Sequence, residues 1–118
     1  MMQVLLVALG GAAGSVARYS VGIAATRWLG LAFPWGTLAV NILGSLAIGV
    51  LAARTGADDA TRLLLGVGFL GGFTTFSAFS LETMRLLEQQ PAQAMLYVAA
   101  SLLLGVGACW LGLFLGRT

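Results

Sequence analysis

The sequence predicts an all-α integral membrane protein with four transmembrane helices, the third broken mid-membrane, and three observations carry that prediction. The 118 residues are 59% hydrophobic and 8% charged, whereas soluble domains carry roughly 25% charged residues; the mean hydropathy is +0.98. The apolar residues gather into four segments, each long enough to cross a hydrocarbon core of ~30 Å at ~1.5 Å per residue. The third is free of charge from Leu63 to Leu81, yet residues 71–80 read GGFTTFSAFS. Adjacent glycines and β-branched threonines weaken a helix there.

One domain, 1–118, accommodates spans at 4–28, 35–53, 63–87 and 92–116. The first is apolar and interrupted by Arg18. It lacks the basic start of a cleaved signal and three more apolar segments follow, so it reads as a membrane helix. The second follows the turn-forming Phe33-Pro34 step. The third starts where Asp58 and Asp59 are candidate caps and continues amphipathically towards Leu87. The fourth begins at Pro91, a residue suited to a first helical turn. Connections at 30–34, 54–60 and 88–91 are short, so consecutive helices are expected to be antiparallel neighbours.

Charge and residue inventory exclude several functions. The net charge of +2 comes from six arginines and no lysine, too few and too scattered for a nucleic-acid footprint. With no histidine, one cysteine (Cys109) and four acidic residues, a metalloenzyme or a nucleophile–base pair has almost no raw material. An enzyme is not expected.

Two features bear on assembly. Gly10/Gly14, Gly68/Gly72 and Gly112/Gly116 have the small-xxx-small spacing that lets membrane helices approach closely. That spacing suits packing within one bundle, or a homodimer, which four thin helices need if they are to enclose a route. With four spans, Arg54, Arg62 and Arg117 lie on one side and Arg27 and Arg85 on the other. Loop arginine excess sets orientation, and here it nearly cancels. Such a chain can insert both ways, and its dimer is then antiparallel.

The polar residues within the spans are the candidates for function. Asn41 lies mid-span; its amide either glues two helices or presents a donor to a dehydrated anion. Phe76 and Phe79, three apart, share a face if helical; they form a packing stripe or turn their positive ring edges to an anion. Ser77 and Ser80 repeat that spacing, and Tyr97 and Ser101 add hydroxyls on the last helix. Arg18 either snorkels to a headgroup layer or lines a vestibule. Glu82 pairs with an arginine or caps a polar site. Carbonyls released by a break at residues 71–75 must meet protein, water or an ion, and such oxygens are hard ligands suited to sodium.

Three stretches, GGAAGSVARY at 10–19, GTLAVNILGS at 36–45 and GGFTTFSAFSLE at 71–82, together resemble the small fluoride channels called Fluc or CrcB, and the resemblance covers essentially the whole chain. It implies a dual-topology, antiparallel homodimer in a bacterial cell (inner) membrane, with two fluoride pores and a structural sodium ion at the dimer interface. By motif position, the carbonyls of Gly71 and Thr74 would bind sodium, and Phe76 and Phe79 would line the pores. Asn41 would be the polar pore residue and Arg18 would lie by an aqueous vestibule. Thr75, Ser77, Tyr97 and Ser101 would supply further hydroxyl donors. The partners implied are a second copy, fluoride and lipid, with no nucleic acid. The rival class is a small four-helix proton-coupled multidrug exporter, which wants an acidic residue at the centre of a span; here the first span carries Arg18 instead, and Glu82 sits towards a helix end. A structural subunit without transport would explain the glycines but not the hydroxyls and phenylalanines clustered at a break.

Overall fold

A computed structural model describes residues 1–54 and 58–118; the part of the second connection at 55–57 lies outside the described residues. Helix α1 spans Met2–Leu29, α2 Trp35–Ala53, α3 Asp59–Thr61, α4 Gly71–Phe73, α5 Ser77–Gln89 and α6 Pro91–Arg117, with a π-helical stretch, Arg62–Leu70, between α3 and α4. Four helical spans are long and apolar enough to cross a membrane: Met2–Leu29, Trp35–Ala53, Asp59–Gln89 and Pro91–Arg117.

Local chemistry sets the ends. Gly30 closes α1 at φ 83°, a left-handed conformation that costs glycine little, and its N–H donates to Thr26 O at 2.9 Å. Asp58 caps α3 by accepting from Thr61 N–H at 2.7 Å, a bond that also holds its carboxyl below the usual carboxylate range. Pro91 takes the first turn of α6. The π-helical widening was not legible beforehand, because apolar spacing over nine residues does not distinguish i→i+5 from i→i+4 bonding. At its end the Gly71 N–H is shared between the carbonyls of Gly66 and Gly68.

The most extensive packing is between alternate spans, α2 with α6 and α1 with the π-helical stretch and α4; the consecutive pair α1 and α2 packs less closely. Glycines make both close pairings. A Cβ on Gly14 would strike the carbonyl oxygen of Phe69 and come within 3.0 Å of Phe73 N, and one on Gly72 would come within 2.6 Å of Gly11 O. On the other seam, a Cβ on Gly49 would strike Cys109 O and one on Gly112 would strike Leu46 O. Positions rise together along both seams, so the partners run parallel. The small-xxx-small pairs are therefore spent on packing within one chain.

The buried core is small: Leu38, Leu86, Ala94 and Tyr97 cluster with Phe33, Ile42, Phe79 and Ala100 against them, and Val40 and Phe73 are buried as well. Leu5, Val16, Leu103 and Val106 face outward along with many other large apolar residues. A surface of this kind is untenable in water and matches lipid, so the chain is a multi-pass membrane protein. Trp28 and Trp35 flank the first turn and are exposed, as suits the headgroup layer.

Replacing Gly14 with alanine forces a methyl group into unyielding backbone and should cost about 1–3 kcal/mol or more. Gly107, where a Cβ meets nothing within 4 Å, provides the control. Thermal unfolding in detergent should show Gly14→Ala clearly destabilised and Gly107→Ala close to wild type.

Candidate functional site

The site is organised by an interruption of the third span. The helical ladder stops where Thr74 N–H donates to Leu70 O at 3.0 Å and resumes where Ser80 N–H donates to Phe76 O at 2.9 Å. Thr74 is extended, at φ −91° and ψ 162°. Of the two threonine hydroxyls here, that of Thr75 takes up a group the interruption frees, and that of Thr74 adds to a carbonyl already paired. Thr74 Oγ1 donates back to Leu70 O at 2.9 Å, and Thr75 Oγ1 accepts from Ala78 N–H at 3.2 Å.

Asn41, reaching across from α2, supplies a substitute for the missing backbone. Its Oδ1 accepts from Thr75 N–H at 2.8 Å and its Nδ2 donates to Thr75 O at 3.0 Å. This pairing fixes the amide orientation, because only the oxygen can accept and only the nitrogen can donate. The amide bonds across helices and still keeps one N–H beyond the Thr75 pair. From α1, Arg18 Nε donates to Gly72 O at 3.0 Å, so the guanidinium is engaged at the interruption.

A groove of about 560 Å³ runs along this region, lined by Asn41, Gly71, Thr74, Thr75, Phe76, Phe79 and Ser101 among others. Ser101 Oγ is buried there with no hydrogen-bond partner among the described residues. Phe76 precedes α5 and is 78% exposed, whereas Phe79 is half-buried; their ring centroids lie 5.8 Å apart. The aromatic contacts continue from Phe79 to Tyr97 at 5.2 Å and from Tyr97 edge-on to Phe33 at 5.5 Å.

Of the residues that the resemblance assigns to the pore or vestibule, Ser77, Tyr97 and Arg18 lie outside the groove. Ser77 is exposed at the start of α5, with its hydroxyl 3.4 Å from that of Thr75. Tyr97 is fully buried and its hydroxyl donates to Glu82 Oε1 at 3.0 Å, so Glu82 belongs to a packed polar contact. Arg18 lines a second hollow of about 620 Å³ with Tyr19, Thr37, Thr75 and Glu82. Thr75 borders both hollows. Ser45 and Gly105 also line the groove without having been singled out. Ser45 follows Asn41 by four residues, a same-face spacing that was available in the sequence.

Comparison with known proteins bears on what this site serves. The sequence model of the family described as CrcB-like protein, Camphor Resistance (CrcB), matches residues 5–113. A protein of Phenylobacterium zucineum named fluoride-specific ion channel FluC is 53% identical over 123 aligned residues, covering 99% of this chain and 97% of the relative. Proteins of the same name from Rhizobium etli (strain CIAT 652) and Caulobacter vibrioides are 55% identical over 122 residues, covering 99% and 98%, and 49% identical over 123, covering 99% and 97%. With the match spanning nearly its whole length, this chain belongs to the CrcB-like family.

Proposed function

We propose that this chain forms a fluoride-selective ion channel through which cytoplasmic fluoride leaves passively, lowering its toxicity, and that it works as an antiparallel homodimer in a bacterial cell (inner) membrane. The observation that carries this reading is 53% identity over 99% of the chain to a protein named fluoride-specific ion channel FluC. The groove supports it on chemical grounds. Fluoride is small and strongly hydrated, so a route must replace its water with fixed donors and yet hold it weakly enough to release it. The groove offers the unpartnered Ser101 hydroxyl, the remaining Asn41 N–H, the Thr75 hydroxyl and the ring edges of Phe76 and Phe79. No arginine lines it, which favours transit over capture. Ser77 lies at its margin, Tyr97 backs the Phe79 ring at 5.2 Å, and Arg18, in the second hollow, raises the local anion concentration.

Thr74 is the central residue of the span Asp59–Gln89, which supports a break at mid-membrane depth. Gly71 and Phe76 are exposed on the single chain, so the far wall of a pore there must come from a second copy. The near-balanced loop arginines favour an inverted one. The carbonyls of Gly71 and Thr74 fit a structural sodium ion. They are hard oxygens, and the amides that would close them, Thr75 N–H and Ala78 N–H, are engaged elsewhere. Supplied by both copies, these residues would hold the ion, which would tie the two breaks together.

Reconstituted protein in liposomes loaded with potassium fluoride, with valinomycin clamping charge, should release fluoride rapidly and leave chloride behind. Absence of fluoride release from folded protein would overturn the reading. Phe76→Ile and Phe79→Ile each remove a positive ring edge from the route. They should cut flux by up to about tenfold without disturbing assembly; unchanged flux would count against ring-edge contacts. Arginines inserted beside Asp58 should lock one orientation and abolish activity until an oppositely locked copy is co-expressed. Full activity from a single uniform orientation would exclude the antiparallel dimer.

A further inference from the structure

An unbroken helix would pair each carbonyl here with the amide four residues on. Between Leu70 O, which still bonds Thr74 N–H, and Phe76 O, which bonds Ser80 N–H, the rungs of Gly71, Gly72, Phe73, Thr74 and Thr75 are open. Side chains of the same subunit claim only some of the freed groups. Asn41 takes both Thr75 N–H and Thr75 O, Arg18 takes Gly72 O, and the Thr75 hydroxyl takes Ala78 N–H. The pattern is selective. Thr75 N–H is the donor a helix would give to Gly71 O, and Ala78 N–H the donor it would give to Thr74 O. The side chains remove these two donors and, among the described residues, put nothing in their place.

We infer that Asn41 and the Thr75 hydroxyl are positioning groups for the cation cradle. By capturing Thr75 N–H and Ala78 N–H they stop the helix from closing and keep the Gly71 and Thr74 carbonyls free as ligands. Arg18 acts with them by holding Gly72 O, so that one of the two carbonyls between the ligands is engaged by α1 and does not compete. The cradle is thus pre-organised within one subunit, before an ion or a second copy arrives. Asn41 then carries a structural task at the break, distinct from any contact between its remaining N–H and the conducted anion. This inference rests on the sodium reading proposed above.

The test uses the full-length protein in detergent, with sodium titrated against N-methylglucamine and the sodium-dependent rise in unfolding temperature as readout. Outer-shell groups that orient metal ligands typically change affinity about ten- to hundredfold when lost. Asn41→Leu and Thr75→Val should therefore raise the sodium midpoint by about that factor, and Thr75→Ser, which keeps the hydroxyl, should restore it. Phe79→Ile, which leaves the break's bonds untouched, should leave the midpoint where it is. Wild-type midpoints in both Asn41→Leu and Thr75→Val would overturn the inference while leaving the sodium reading intact. If Asn41→Leu does not fold, the Thr75→Val and Thr75→Ser pair decides alone. A wild-type protein with no sodium response would overturn the sodium reading, and the positioning role with it.

Discussion

A backbone amide or carbonyl in hydrocarbon has no water to turn to, so leaving it unpaired costs several kcal/mol. That constraint governs this molecule, because its third span gives up its own ladder around Thr74. Everything near the interruption is arranged around the groups thereby freed. An amide on α2, a guanidinium on α1 and the hydroxyl of Thr75 take up some of them. Among the described residues, the carbonyls of Gly71 and Thr74 are left without a partner, and they are hard oxygens suited to a cation.

The helix packing exists to bring those partners within reach. Arg18 reaches Gly72 because α1 lies directly against the third span, with Gly10 and Gly14 facing Gly68, Phe69 and Phe73 at distances that exclude any side chain. The α2–α6 seam, closed by Gly49 and Gly112, sets Asn41 and Ser101 on one groove. Close parallel seams of this kind depend on dispersion between backbones, which small residues alone permit. The same glycines that weaken helices in water therefore position the polar groups here.

The interruption also divides the polar residues into two environments. On one side lies the groove with its phenylalanines and the unpartnered Ser101 hydroxyl; on the other lies the hollow with Arg18 and Glu82. Thr75 borders both. The charges thus stay on one side of the break, and uncharged donors line the other. That separation is what a route for an anion requires if attraction and release are to be handled at different places.

The sequence by itself determined the class of the protein, because composition and segment length are one-dimensional properties that lipid reads directly. It also marked residues 71–80 as the unusual place, since the glycine and threonine pairs are contiguous there, and Asp58 and Asp59 as candidate caps, of which Asp58 caps α3 while Asp59 accepts from Arg62. It could not say which helices would mesh: short connections pointed to consecutive neighbours, yet backbone-to-backbone contact at the glycines joined alternate spans. Nor could it say how each polar group would be spent. Asn41 bonding Thr75, Arg18 bonding Gly72 and Tyr97 bonding Glu82 join residues 34, 54 and 15 positions apart. Such pairings are decided only once the seams fix the distances, because a hydrogen bond exists within a few tenths of an ångström or not at all.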